Sequence, residues 1–313
     1  MIDYTSDSLN KYSKKMLKAN SNLYTKINRY GYREFDGLRH TKEYVFFTKP
    51  DLNIMDSTGS SLNQDIATET FFQEMFYKNK DVLYQLQSSA KGPESGSPFM
   101  YLLSNTLRSS VDIPSISSDD NETGATQFGS KIYTRKNSFP SNDNHDFSLD
   151  FEDSKGLPVY NLFKTWDEYG NLKAIGRIKP LAKYRDNKEI HDQISIYKFI
   201  VDETNTNIIF YAKLTGCYPK GVPREHFSSL DNSLVYSVPF KANFVEDNNP
   251  IILEEFNMIM RGVGSNTLPM MSSDGVSIGY SKTPNMDWAR GAYVERHEFV
   301  SKPGYIYRLK WRG

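Results

Sequence analysis

Cysteine is all but missing from this chain. Of 313 residues only Cys217 is one, so no disulfide can close within the molecule, and the composition suits synthesis in a reducing compartment. Long apolar runs are missing as well. No stretch approaches the roughly 20 residues that a membrane-spanning helix needs, and the opening MIDYTSDSLNKYSKK has no apolar core of the kind a secretory signal carries. The expectation is a protein made in a cytoplasm, without membrane insertion. Histidine is sparse: His40, His145, His191, His226 and His297 are scattered, with no two at metal-ligand spacing. An excess of one charge is missing too. Lys+Arg and Asp+Glu stand at 38 each, which leaves no global basic field for wrapping nucleic acid.

Catalytic signatures are equally scarce. There is no G-x-S-x-G elbow, no P-loop and no H-E-x-x-H. Gly262-Val263-Gly264 lacks the third glycine and the strand–helix context of a dinucleotide site. Two acidic groups, Asp146/Asp150/Glu152/Asp153 and Glu254/Glu255, could in principle supply paired carboxylates for glycoside hydrolysis, but such a pair needs a cleft of defined width. Asp146 and Asp150 fall on the polar side of an alternating segment, where solvated charge is the ordinary reading. Asp119-Asp120-Asn121-Glu122 lacks calcium-loop spacing. The reading is a non-enzyme with no catalytic residue, no metal and no cofactor.

What the chain does have is aromatic surface and a charge asymmetry. Aromatic residues make up 14% against a modest hydrophobic fraction of 38%, a balance that suits large polar interfaces built on amphipathic rings. Residues 1–45 hold nine basic and five acidic side chains, a net of +4, and residues 261–313 hold eight and four, again +4; in a neutral chain the middle carries −8. Two basic ends flanking an acidic body are expected where ends bind the bodies of neighbours.

Along the chain, residues 1–43 read as a polar arm dotted with tyrosines (Tyr4, Tyr12, Tyr24, Tyr30, Tyr32), poorly able to offset its own ordering entropy. Residues 44–260 read as one β-rich domain. Tyr44 to Thr48 is a strand stopped by Pro50. An insertion over about 51–98 contains helical spacing from Thr68 to Gln87, with Asp81 as a cap between two short helices. Strands are expected at Thr106–Ile113 and Phe128–Lys136, with a polar loop carrying Asp119, Asp120 and Glu122 between them. His145 to Phe151 alternates apolar and polar, the mark of a half-buried strand. Pro158 opens an amphipathic helix whose core stripe includes Leu162, Phe163 and Trp166 and which Gly170 should end. Ile194–Val201 and Asn207–Leu214 read as a hairpin, and Ser233–Val245 as a strand that Pro239 places at an edge or beside a bulge. Residues 261–313 read as an extension. Tyr305, Tyr307 and Leu309 alternate in it as a candidate subunit-interface strand, with base stacking on nucleic acid as the alternative use of its rings. The fold class is mainly β with a packed amphipathic helix (α+β), an antiparallel sandwich or barrel with terminal extensions and a helical insertion.

Three stretches carry a family resemblance. The first runs from Leu107 through Ile113-Pro114-Ser115, an acidic loop and Gly129-Ser130-Lys131-Ile132-Tyr133 to Asp146-Phe147-Ser148-Leu149-Asp150-Phe151. The second is the helix Tyr160-Asn161-Leu162-Phe163-Lys164-Thr165-Trp166. The third is Leu214-Thr215-Gly216-Cys217-Tyr218-Pro219, followed by Leu230-Asp231 and the strand to Phe244. In order and spacing they resemble the tail tube proteins of contractile-tailed bacteriophages, with their Ile/Leu-Pro turn, F-x-x-W helix and G-x-x-P turn. About half of the chain takes part; the arm, the insertion and the C-terminal segment exceed the family pattern.

The resemblance implies a virion protein of the phage tail that forms hexameric rings stacked into an inner tube, a conduit through which double-stranded DNA passes. Its partners would be further copies of itself and the tail sheath, baseplate and tape-measure proteins. A baseplate tube initiator or a tail terminator of the same fold is the near alternative. A carbohydrate-degrading or glycan-binding tail component is the alternative of another class. Candidate lumen or inter-ring contacts are Asp119, Asp120, Glu122, Lys131, Arg135 and Lys136.

Overall fold

The computed structural model describes residues 41–56, 59–87, 98–114, 120–123, 132–135, 143–181, 192–202, 207–222, 234–262, 292–298 and 305–311. In chain order the elements are β1 (Lys42–Phe47), α1 (Thr70–Lys78), α2 (Lys80–Gln85), α3 (Tyr101–Thr106), β2 (Asp120–Thr123), β3 (Ile132–Arg135), β4 (Asp143–Glu152), α4 (Pro158–Ala174), β5 (Ile194–Val201), β6 (Ile208–Pro219), β7 (Val235–Asp247), α5 (Pro250–Gly262), β8 (Ala292–Glu298) and β9 (Tyr305–Trp311). Five strands form one antiparallel sheet in the order β1-β5-β6-β7-β4, while β2–β3 and β8–β9 are separate two-stranded ribbons. The α+β class expected from the alternating segments and the amphipathic helix is the class observed. The sheet is curled: Phe47 on one edge strand and Phe151 on the other have ring centroids 6.0 Å apart.

Each face of the sheet carries its own core. On the first, Phe147, Leu149 and Phe151 of β4 and Tyr236, Val238 and Phe240 of β7 meet Leu162, Phe163 and Trp166 of α4. Alternate residues of a strand point to one side, so the period-2 pattern of 145–151 and 236–242 places these rings together. The insertion contributes to the same cluster through Phe72, Met75, Leu83 and Leu86. On the second face, Phe256 of α5 lies within 4.9–5.4 Å, centroid to centroid, of Phe46, Phe99, Tyr197 and Phe199. The β8–β9 ribbon completes this core with Ala292, Val294 and Leu309. It is held by Asn257, whose side chain accepts from the Val294 N–H at 2.9 Å and donates to the Val294 carbonyl at 2.8 Å. The segment expected as an extension thus supplies part of a core.

Several local expectations change. Gly170 does not end α4. The helix continues to Ala174 and stops where Gly176 takes φ 76°, with Gly176 N–H bonded to Lys173 O and Arg177 N–H to Leu172 O; paired bonds of this kind satisfy the last carbonyls of a helix. Residues 106–113 form no strand. Tyr101–Thr106 is helical, and only Leu107 makes a bridge, to Phe151. The short helices of the insertion meet at Asn79, and Asp81 lies in the first turn of the second. The Gly216 stretch is not a turn but the interior of β6. The register against β5 shifts between Ile194 and Ile196 there, and Gly216 takes φ 68° with Asn243 so near that a Cβ would come within 2.6 Å of its amide nitrogen, a conformation and a space that favour glycine.

Candidate assembly surface

Backbone groups on the rim of a sheet are the strongest unspent recognition chemistry such a fold can hold, because every other strand has its N–H and C=O groups paired. The two rims here are β1 and β4. At β1, Met100 N–H bonds to Phe47 O at 2.7 Å, Lys49 N–H bonds to Pro98 O at 3.0 Å, and Thr48 bridges Phe99. Further along, Glu43 accepts from Ser110 Oγ at 2.6 Å and from Val111 N–H at 3.0 Å. Behind them sits Lys198, an almost fully buried cation on β5. It donates to Val111 O at 2.6 Å and Ser110 Oγ at 3.0 Å and pairs with Glu43 at 3.3 Å. Burying an ammonium is costly unless it is both paired and hydrogen-bonded, and here it is both. The chain covers the Phe47 end of this rim with Pro98–Met100 and runs Ser110–Val111 against the Glu43 side chain, while among the described residues no group bonds the outward N–H and C=O of Val45.

At β4 the same segment bonds near both ends: Leu107 bridges Phe151, and the His145 ring nitrogen Nε2 lies 3.1 Å from Asp112 O. Arg108 N–H bonds to Asp150 O at 2.8 Å, and Asp150 N–H bonds to Ser109 Oγ at 2.9 Å. Since Asp150 directs its backbone outward, the alternation of an antiparallel strand directs Asp146 and Ser148 outward too. Among the described residues no group bonds their N–H or C=O. Pro239 confirms the geometry. It lies opposite Ser148, so its missing N–H takes nothing from β4, and its carbonyl accepts from Lys220 N–H at 2.8 Å just past the end of β6. The sequence placed this strand at an edge or beside a bulge; in strand order β7 is interior, and proline is tolerated because β6 has ended beside it.

The exposed face next to this rim is polar. Lys220 pairs with Asp146 at 2.7 Å, and the hydrogen bond from Lys220 holds the Asp146 carboxyl below its usual range, with Lys241 and His145 adding to the effect. Arg108 pairs with Glu152. Asp153, grouped with these carboxylates in the sequence, does something else. Its oxygens accept from the Val159 and Tyr160 N–H groups at 3.2 and 2.9 Å and from Tyr236 Oη at 2.5 Å, so it satisfies the N-terminal donors of α4. No group of His, Cys, Asp and Glu fit for a metal occurs among the described residues.

Of the candidate lumen or inter-ring residues, Asp120 and Glu122 lie on β2 rather than in a loop, opposite Arg135 and Tyr133 of β3; Asp119, Lys131 and Lys136 lie outside the described residues. Tyr305, Tyr307 and Leu309 lie on β9, opposite Glu298, Arg296 and Val294 of β8. Leu309 is buried in the second core, and Tyr307 packs edge-on against Tyr211 with centroids 6.2 Å apart, so these two side chains are committed within the chain. Lys198 went unnoticed in the sequence, and Pro239 was noticed without its partner Ser148. Both left a signal: a lone cation inside the apolar run ISIYKFIV, and a proline in an otherwise regular strand.

No family model and no curated protein matches this chain. Among solved structures, the sheath/tube terminator of the PVC extracellular contractile injection system is similar at 13% identity and TM-score 0.27, over 45% of this chain and 84% of that one. The tube-terminating cap of the anti-feeding prophage is similar at 14% identity and TM-score 0.26, over 44% and 81%. A chain of the PVC sheath–tube complex is similar at 13% identity and TM-score 0.27, over 43% and 75%.

Proposed function

We infer that this chain is a non-enzymatic structural subunit that assembles edge to edge with further copies of itself, as a ring of a contractile-tail tube or as the terminator that closes one. The observation that carries the reading is the backbone of Asp146 and Ser148 on the β4 rim, which no group among the described residues bonds. An added strand would complete that rim by main-chain hydrogen bonds. A ring requires unlike surfaces to meet, since like surfaces close a two-fold dimer. The ribbon β2–β3 of the next copy is the unlike edge we propose for that contact, with Asp120, Glu122 and Arg135 at it.

The motifs from Leu107 to Phe151, in α4 and in β6–β7 support the tail-tube assignment through their resemblance to that family. The −8 charge of the body supports a conduit for DNA, because like charge keeps a polyanion from sticking. Two of the carboxylates considered for hydrolysis have structural partners: Asp153 accepts from the first N–H groups of α4, and Asp146 pairs with Lys220. Sheath, baseplate and tape-measure proteins are the expected partners in a virion. Electron microscopy of the purified full chain tests the proposal: six-fold rings or tubes are expected, and a monodisperse monomer or a two-fold dimer would overturn it.

A further inference from the structure

Half of the exposed large apolar side chains among the described residues lie within one short stretch of chain, Phe244 at the end of β7 and Ile251 and Met258 on α5. Ile251 and Met258 are seven residues apart, so they share one stripe of the helix, and exposed Glu254 sits between them on it. The opposite stripe, Ile252, Leu253 and Phe256, is the one buried in the second core. Four carboxylates, Glu246, Asp247, Glu254 and Glu255, fall in this stretch, and Lys213 is the one described cation that pairs with any of them, at Glu255. Scattered surface apolar residues need no explanation, but an apolar stripe inside an acidic margin has the composition of a docking surface.

The complement is in the same sequence. Residues 11–18, KYSKKMLK, hold four lysines interleaved with Tyr12, Met16 and Leu17, and no acid. These four lysines alone match the +4 of the N-terminal arm. The arm joins the folded chain at Lys42, the first residue of β1, and the 23 intervening residues span up to about 80 Å when extended, enough to leave one copy and reach the next. We propose that the Lys11–Lys18 segment of a second copy docks on the Ile251–Glu254–Met258 stripe of α5, its lysines against the carboxylates and its apolar residues on Ile251 and Met258. This rests on the reading of the chain as a self-assembling subunit and names a contact other than the β4 rim.

The single cysteine makes the test clean. Cys217 is buried and its thiol is pushed up to about 12 by desolvation, so it stays silent under mild oxidation. Full-length Met16→Cys and Met258→Cys chains carrying different tags are co-produced and oxidised. A disulfide-linked pair bearing both tags is expected. Glu254→Lys in the second chain should lower its yield about fivefold, and Lys14→Glu with Lys15→Glu in the first should restore it, as a few surface ion pairs dictate. No mixed disulfide, or closure only within a chain carrying both cysteines, overturns the proposal. Rings seen by microscopy without the mixed disulfide sink this contact alone. A mixed disulfide without rings upholds the contact and sinks edge pairing at β4.

Discussion

The two rims of the sheet are made of similar strands and meet different fates. β1 is met at its Phe47 end by Pro98–Met100 and at Glu43 by Ser110–Val111, and a buried cation, Lys198, fastens that cover from behind. β4 is tied at Asp150 and at the His145 ring by the same passing segment, and among the described residues nothing bonds the backbone of Asp146 and Ser148. The stretch 107–112 therefore lies against both edges, meeting the Glu43 side chain of β1 through Ser110 and Val111 and β4 through Arg108, Ser109 and Asp112. Backbone left unbonded on a rim is a hazard that folded proteins ordinarily manage, which makes Asp146 and Ser148 the positions at which the proposed assembly is tested.

The comparison breaks most sharply with proline placed on β4. Leu149 is buried in the first core, lies opposite Val238 and directs its N–H toward β7. Leu149→Pro should cost more than about 4 kcal/mol, combining a lost ladder bond with a core cavity, and leave no cooperative urea transition. Next in size, Lys198→Ala removes one partner of a buried pair and should destabilise by about 3 kcal/mol, read as a lowered urea midpoint with unchanged slope; an effect near zero would mean that β1 is not held by this anchor.

Ser148→Pro sharpens the contrast. Among the described residues its N–H has no partner, so the cost there should stay below about 1 kcal/mol, while rings are lost in electron micrographs. Rings that survive this substitution would remove the β4 rim from the interface. The smallest effect is electrostatic. The folded-state pKa of Asp146 lies below its unfolded value, so its contribution is present above the unfolded value and is lost as pH falls through the folded one. A carboxyl titration followed by NMR should place its midpoint below the model value of 3.8, and Lys220→Ala should return it toward that value.

Much of this fold could be read from short-range pattern. The alternation in His145–Phe151 and in Tyr236–Ala242 placed the right side chains inward, and the stripe Leu162/Phe163/Trp166 placed α4 on the core, because burial leaves a period of 2 in strands and 3.6 in helices. The end of α4 was misplaced because Gly170 sits in the helix with ordinary backbone angles, whereas the positive φ that halts a helix belongs to Gly176. Residues 106–113 carry apolar residues at strand-like spacing, yet they bond to two different edges at once, and no local pattern encodes that. The role of Asp153 depended on a tyrosine 83 positions away. Leu309 looked like an interface residue because its alternation is genuine; the layer beneath it is α5 of its own chain.

Residue types and their spacing were enough to establish a β-rich, helix-backed fold with no internal disulfide, since composition and periodicity act within a few neighbouring positions. Which backbone groups on the two edges are bonded came from strand order and from a segment that crosses between β1 and β4. Backbone hydrogen bonds look the same from every residue, so no side-chain pattern announces which of them will find a partner within the chain.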